Sequence, residues 1–167
     1  YFEKAIQIKP DYAEVYYSLG IMHQDLGEKK MALDNFQKAI KIKPDYAEVY
    51  NNLGMVFDDL MRFDEAILSY NKAIKLKPNH EKSYNNLGNL LNSLGKYNEA
   101  TAAYHQAIKI KSNYARAYSN LLLNLNYKTN FDPDLYLSEA KKFRSNCKPI
   151  QKNLFFKYQY KKEPKKL

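Results

Sequence analysis

"AEVYNNLGMVFDDLMRFDEAILSYNKAIKLKPNH", Ala47 to His80, decides the fold because the chain writes it more than once. The stretch from Ala13, "AEVYYSLGIMHQDLGEKKMALDNFQKAIKIKPDY", and that from Glu81, "EKSYNNLGNLLNSLGKYNEATAAYHQAIKIKSNY", align with it without gaps at a period of 34 residues. Upstream, "YFEKAIQIKPDY" reads as the second half of a further unit. From Ala115, "ARAYSNLLLNLN" reads as the first half of another. The organisation expected is therefore a truncated unit over 1–12, full units over 13–46, 47–80 and 81–114, a first helix over 115–128, and a different segment over 129–167.

Each unit reads as two helices. In the quoted one, Tyr50, Leu53, Phe57 and Leu60 fall on one helical stripe, and Ala66, Ile67, Tyr70, Ala73 and Ile74 form the stripe of a second helix. Pro78, like Pro10 and Pro44, cannot continue that second helix. Gly20, Gly54 and Gly88 in the first helices and Ala32, Ala66 and Ala100 in the second mark close helix contacts, where a bulky group would overpack the pair. One such hairpin cannot bury both its faces, so neighbouring units must stack into a solenoid.

Tyr50, Leu53, Gly54, Ala66, Tyr70, Ala73 and Pro78 resemble the pattern of the tetratricopeptide repeat. The resemblance implies an all-α helix-turn-helix solenoid, wound as a right-handed superhelix, whose business is protein–protein interaction. The third unit departs from the pattern with Ser112 in place of the usual proline.

Composition narrows the classes further. No apolar run is long enough to cross a bilayer and no signal-peptide pattern is visible, so a cytoplasmic module without membrane association is expected. Cys147 is the one cysteine and can form no intrachain disulfide. The net charge of +9 divides unevenly: residues 1–114 hold 15 Lys/Arg against 14 Asp/Glu, and residues 115–167 hold 12 against 4. Basicity thus belongs to the tail, and the repeats carry no uniform stripe for phosphate. His23, His80 and His105 lack a metal-ligand partner at helical spacing, there is no glycine-rich phosphate loop, and no catalytic constellation stands out. Neither a metal nor a cofactor is expected. The acidic run Asp58, Asp59, Asp64 and Glu65 spans a helix end and the next helix start, which favours a solvated, capping role.

The informative residues lie on the first helices. Asn52, Asn86 and Asn120 recur every 34 residues, with Ser18 in the same place of the first full unit. Asparagine is a mediocre helix former, so its repetition in mid-helix asks for a reason. Glu48, Asn52, Met55 and Asp59 share a stripe beside the core stripe, and Asn89 follows Asn86 on the next helix as Met55 follows Asn52. A column of carboxamides can pair with the C=O and N–H groups of an extended peptide whatever its side chains. The alternative is that the asparagines hydrogen-bond between neighbouring units. Beside the column, Glu14 and Glu48 give way to Lys82 and Arg116, so a ligand along the groove would meet acid at one end and base at the other.

Tetratricopeptide domains that clamp the terminal carboxylate of heat-shock chaperones carry Lys and Asn, then Asn, then Lys and Arg in places that here hold Tyr17 and Ile21, then Asn52, then Lys82 and Asn86. Only part of that clamp is present. After Ser119, Asn120 and Leu121, Leu122 replaces the glycine, and "TNFDPD" supplies a turn with Asp132 as N-cap and Pro133 opening a helix that runs to about Cys147. This junction, with "SNLLLNLNY" before it and "EPKKL" after it, resembles that of O-linked N-acetylglucosamine transferase-like proteins. The resemblance implies an asparagine ladder guiding protein substrates to a following catalytic domain that uses UDP-N-acetylglucosamine and is absent from this chain. On that reading the chain is a non-catalytic, substrate-recruiting module, with its own catalytic domain as a further partner. Ser18 departs from the ladder at its first rung. A general adaptor with no enzymatic context is the competing class. A nucleic-acid-binding tail built on Lys152, Phe155, Phe156, Lys157, Tyr158, Tyr160, Lys161 and Lys162 is a further one, disfavoured because aromatic clusters at domain junctions are more often packing surfaces.

Overall fold

The computed structural model describes residues 12–127 and 131–147, which form eight helices and no strand. In chain order they are α1 (Ala13–Asp25), α2 (Lys29–Ile42), α3 (Ala47–Asp59), α4 (Phe63–Leu76), α5 (Glu81–Ser93), α6 (Tyr97–Ile110), α7 (Ala115–Tyr127) and α8 (Pro133–Asn146). All of the half-unit expected over 1–12 except Tyr12, and the tail aromatics Phe155, Phe156 and Tyr158, lie outside the described residues.

Helices α1 to α6 start without a side-chain cap, although Asp64 and Glu65 stand in the first turn of α4. The capping role expected of that acidic run is not made as a hydrogen bond, and Glu65 instead pairs with Arg62. These helices are fixed by packing rather than by local signals. The turn from first to second helix passes through a left-handed residue: Gly27 at φ 75° and Gly95 at φ 74°, and between them Met61 at φ 58°. Only glycine adopts that region without cost, so the middle turn is strained relative to its neighbours. The residues that follow the second helices, Lys43, Lys77 and Lys111, have φ of −129°, −137° and −131°. A following proline pushes the residue before it toward extended backbone. Lys111 takes that conformation before Ser112, so the proline is not required for it.

Within each unit the first helix presents its glycine to an aromatic ring of the second. A Cβ on Gly20, Gly54 or Gly88 would fall 2.4 Å from Phe36, 2.5 Å from Tyr70 or 2.7 Å from Tyr104. Ala32, Ala66 and Ala100 on the second helices are fully buried. Phe36, Tyr70, Val49, Leu53, Val56 and Leu90 belong to one apolar cluster, and Tyr104, Leu91, Leu121 and Leu125 to a second. Consecutive first helices (α1, α3, α5, α7) touch one another directly, whereas each of α2, α4 and α6 touches only the first helix before it and the one after it. The first helices therefore line the inner side of the stack. Among the described residues no helix is long and apolar enough to cross a membrane.

Candidate peptide-binding groove

The inner side carries the residues singled out by their spacing. Asn52, Asn86 and Asn120 are half-buried, Met55 and Asn89 exposed, Lys82 and Arg116 exposed, and Ser18 half-buried with its hydroxyl donating to the Glu14 carbonyl at 2.8 Å. The ladder asparagines are joined to one another through a second, buried row. Asn86 donates from Nδ2 to Oδ1 of Asn51 at 3.1 Å, and Asn120 donates to Oδ1 of Asn85 at 3.0 Å. Asn51 in turn donates to Asn52 at 3.1 Å, and Asn85 to Asn86 at 3.5 Å. Asn85 is fully buried and Asn51 is 5% exposed. At the head of the row the equivalent residue is Tyr17. Burial and then the charge of Glu48 raise its pKa, while the Asn52 amide opposes them as a hydrogen-bond partner.

The rule is simple: each ladder asparagine pairs with the residue 35 positions earlier, one step more than the repeat. This row was not read from the sequence, although the doubled "NN" at 51–52 and 85–86 signals it. The inter-unit bonding weighed as an alternative is thus present, but it does not exhaust the amides. A carboxamide donates twice and accepts twice. Asn86 donates one hydrogen bond among the described residues, leaving one N–H. Asn120 gives both its N–H groups, to Asn85 and, at 2.8 Å, to Oδ1 of Asn89, so its own oxygen is what remains. Asn89 accepts that bond and another from the Tyr104 hydroxyl at 2.9 Å, which leaves its NH2 group for other partners. Tyr104 is held by this contact in a buried setting that pushes its pKa up to about 12.

A second missed element sits beneath the row. His80 is buried, with Nδ1 2.7 Å from the Ser83 hydroxyl, which donates to Asn51 Oδ1 at 3.1 Å. Since Ser83 donates onward, it accepts from His80 Nδ1–H. Burial lowers the His80 pKa. The units before and after carry Tyr46 and Tyr114 at this place, a substitution that marks the position in the sequence.

The acid-to-base gradient expected along the groove is altered by pairing. Glu14 lies 3.7 Å from Lys43 and Glu48 2.7 Å from Lys77. The Lys77 hydrogen bond holds Glu48 below the usual carboxylate range, and Glu48 raises Lys77 in return. Asp58, at the far end of α3, has its pKa raised by burial and by Asp59. Among the described residues no group of three or more His, Cys, Asp or Glu could hold a metal. A hollow lined by Met61, Phe63, Ile67 and Leu94 lies at the helix-turn edge, away from the asparagines.

Tetratricopeptide repeat models match residues 13–46, 47–80, 69–102 and 88–121. No curated protein matches the sequence as a relative. Among solved structures, MamA is similar at 26% identity and a TM-score of 0.71, over 87% of this chain and 82% of that one. An O-GlcNAc transferase mutant of Thermobaculum terrenum is similar in fold at 24% identity and a TM-score of 0.72, over 78% of this chain and 25% of that one. The first tetratricopeptide domain of Spaghetti, bound to an HSP90 peptide, shares the fold at 23% identity and a TM-score of 0.66, over 68% of this chain and 90% of that one.

Proposed function

From the premise that the chain belongs to the tetratricopeptide repeat family, we propose that its inner groove binds an extended polypeptide through the backbone, with Asn52, Asn86, Asn120 and Asn89 as hydrogen-bonding rungs. The observation that carries this reading is the set of amide valences left over after the inter-unit row is satisfied. Ser18, Glu14, Glu48, Met55, Lys82 and Arg116 flank the rungs and meet the ligand's side chains. The chain acts by recruitment and not by catalysis. In the longer setting proposed, it delivers protein substrates to a glycosyltransferase of the O-GlcNAc type, consistent with its likeness to a quarter of such an enzyme. The wide mutual coverage with MamA favours a second reading, an adaptor with no enzymatic context.

Each net hydrogen bond contributes about 0.5–1.5 kcal/mol, so four rungs give modest affinity. Replacing Asn52, Asn86 and Asn120 together by alanine should weaken an extended peptide by about ten-fold or more, at about 1.4 kcal/mol per ten-fold. A parallel pair, Asn51→Ala with Asn85→Ala, cuts the buried row and should act first on the melting temperature. Unchanged peptide titration in the triple variant, with both proteins folded, overturns the groove.

A further inference from the structure

Position two of each first helix carries Glu14, Glu48, Lys82 and Arg116 in turn. The two glutamates are already answered by Lys43 and Lys77, each the residue that follows its own unit's second helix. The same device recurs in the third unit, where Lys111 lies 3.8 Å from Glu81. Lys82 and Arg116 have no ion-pair partner among the described residues, and both are exposed. The positive ends of helix dipoles favour anions, so cations in the first turn are unfavourable for folding while Glu14 and Glu48 are favourable. Lys82 lies one turn from Asn86 and two from Asn89 on α5, and Arg116 one turn from Asn120 on α7. Asn89 adds an NH2 group whose oxygen partner atom is fully engaged.

Resting on the groove reading above, we infer that this half of the groove selects acidic segments: the carboxylate side chains of an extended peptide sit across Lys82 and Arg116, with the Asn89 amide as a further donor. The rungs hold the backbone, and the two cations choose the sequence. The opposite half, where the glutamates are internally neutralised, makes no matching demand for base.

The test uses C-terminally amidated peptides of Ala, Ser and Thr that differ only in a central Glu-Glu, Ser-Ser or Lys-Lys pair, read by fluorescence anisotropy. The Glu peptide should bind about five-fold tighter than the Ser peptide at low salt, the scale of two exposed ion pairs. The two should converge near 1 M salt, where the screening length is about 3 Å. Lys82→Gln with Arg116→Gln should bring them within about two-fold. Lys82→Glu with Arg116→Glu should reverse the order of Glu and Lys peptides, and its melting temperature should hold or rise because glutamate suits the first turn. Equal binding of Glu and Ser peptides to the unaltered protein, or an order unmoved by either double variant, overturns the inference and leaves the groove standing. Binding of no peptide at all removes the groove reading as well. A preference seen only with a free terminal carboxylate assigns the anion to the peptide end and overturns the side-chain assignment.

Discussion

Leu90 and Asn124 occupy the same place in consecutive first helices, and what surrounds them differs as much as their side chains. Leu90, like Val56 one unit earlier, is 1% exposed inside an apolar cluster. Asn124 is fully buried and donates to the Tyr97 carbonyl at 3.1 Å and to the Thr101 hydroxyl at 2.7 Å, while its own Oδ1 finds no partner among the described residues. At this place the interior units close apolar against apolar. The last one is closed by α8 with polar means: Glu139, 3% exposed, pairs with Lys142 at 2.8 Å, and Asn146 donates to the Tyr118 hydroxyl at 2.8 Å beside the stacked Tyr118 and Phe143 rings. A repeated interface inherits its solution from the unit before it; a unique interface has to be built from local signals.

The largest effect should come from the interior ring. Tyr70 is 1% exposed against Gly54, and burial raises its pKa. Tyr70→Ala should cost about 3–5 kcal/mol by denaturant titration. Phe143→Ala, half-buried at the closing helix, should cost clearly less. Equal losses would erase the distinction between the two regions.

The next test reverses the polarity of the closing site. Asn124→Leu restores the interior pattern and removes an orphaned buried acceptor, a burden of about 1–3 kcal/mol. The groups it deserts are not stranded, since the Thr101 hydroxyl still donates to the Tyr97 carbonyl at 2.8 Å. A gain of about 1 kcal/mol is expected in thermal melts. A loss would mean that the polar contact specifies how α7 seats on α6.

Helix starts sharpen the contrast at a smaller scale. Asp132 accepts from the N–H groups of Asp134 and Leu135, both at 3.0 Å, ahead of Pro133, whereas α1 to α6 have no such cap. Asp132→Ala should cost about 1 kcal/mol, read as lost protection of the α8 amides in hydrogen exchange. Uncapped helices of the repeats should show no matching weak point at their starts.

The same contrast explains what could be read in advance. The period, the Gly and Ala contacts and the ladder positions are legible because each is written three times in one register. The buried row is half-hidden: it obeys an offset of 35 rather than 34, so no single column displays it. Val49 and Val56, fully or almost fully buried, escaped a stripe drawn through Tyr50, Leu53 and Phe57, because a helix enclosed on both flanks buries more than one stripe. Asn124 and His80 are single departures, and a departure in one copy says where to look without saying what replaces the lost contact.

His80 gives the smallest effect and the cleanest sign. It takes the place of Tyr46 and Tyr114, which lie under Lys43 and Lys111 at 4.5 Å and 5.4 Å. At His80 the corresponding lysine, Lys77, sits closer to its glutamate, 2.7 Å from Glu48 against 3.7 Å and 3.8 Å in the other two units. Burial lowers the His80 pKa; Glu48 and Glu81 oppose the shift, and Lys77 and Lys82 add to it. A histidine whose folded pKa lies below its unfolded value, about 6.5, binds fewer protons in the folded state as pH drops through that value. Its contribution is therefore present above about pH 6.5 and is lost as the pH falls toward the folded pKa. Glu48 acts in a separate, lower window, being depressed from the carboxylate range. His80→Tyr, which copies the neighbouring units, should flatten the melting-temperature profile between about pH 7 and 5 and leave the steeper acid limb in place. The expected difference is about 2 °C, a fraction of 1 kcal/mol in a chain of this size. Coincident profiles would mean that protonated His80 finds as good a setting folded as unfolded, with the Ser83 and Asn51 relay insensitive to its charge.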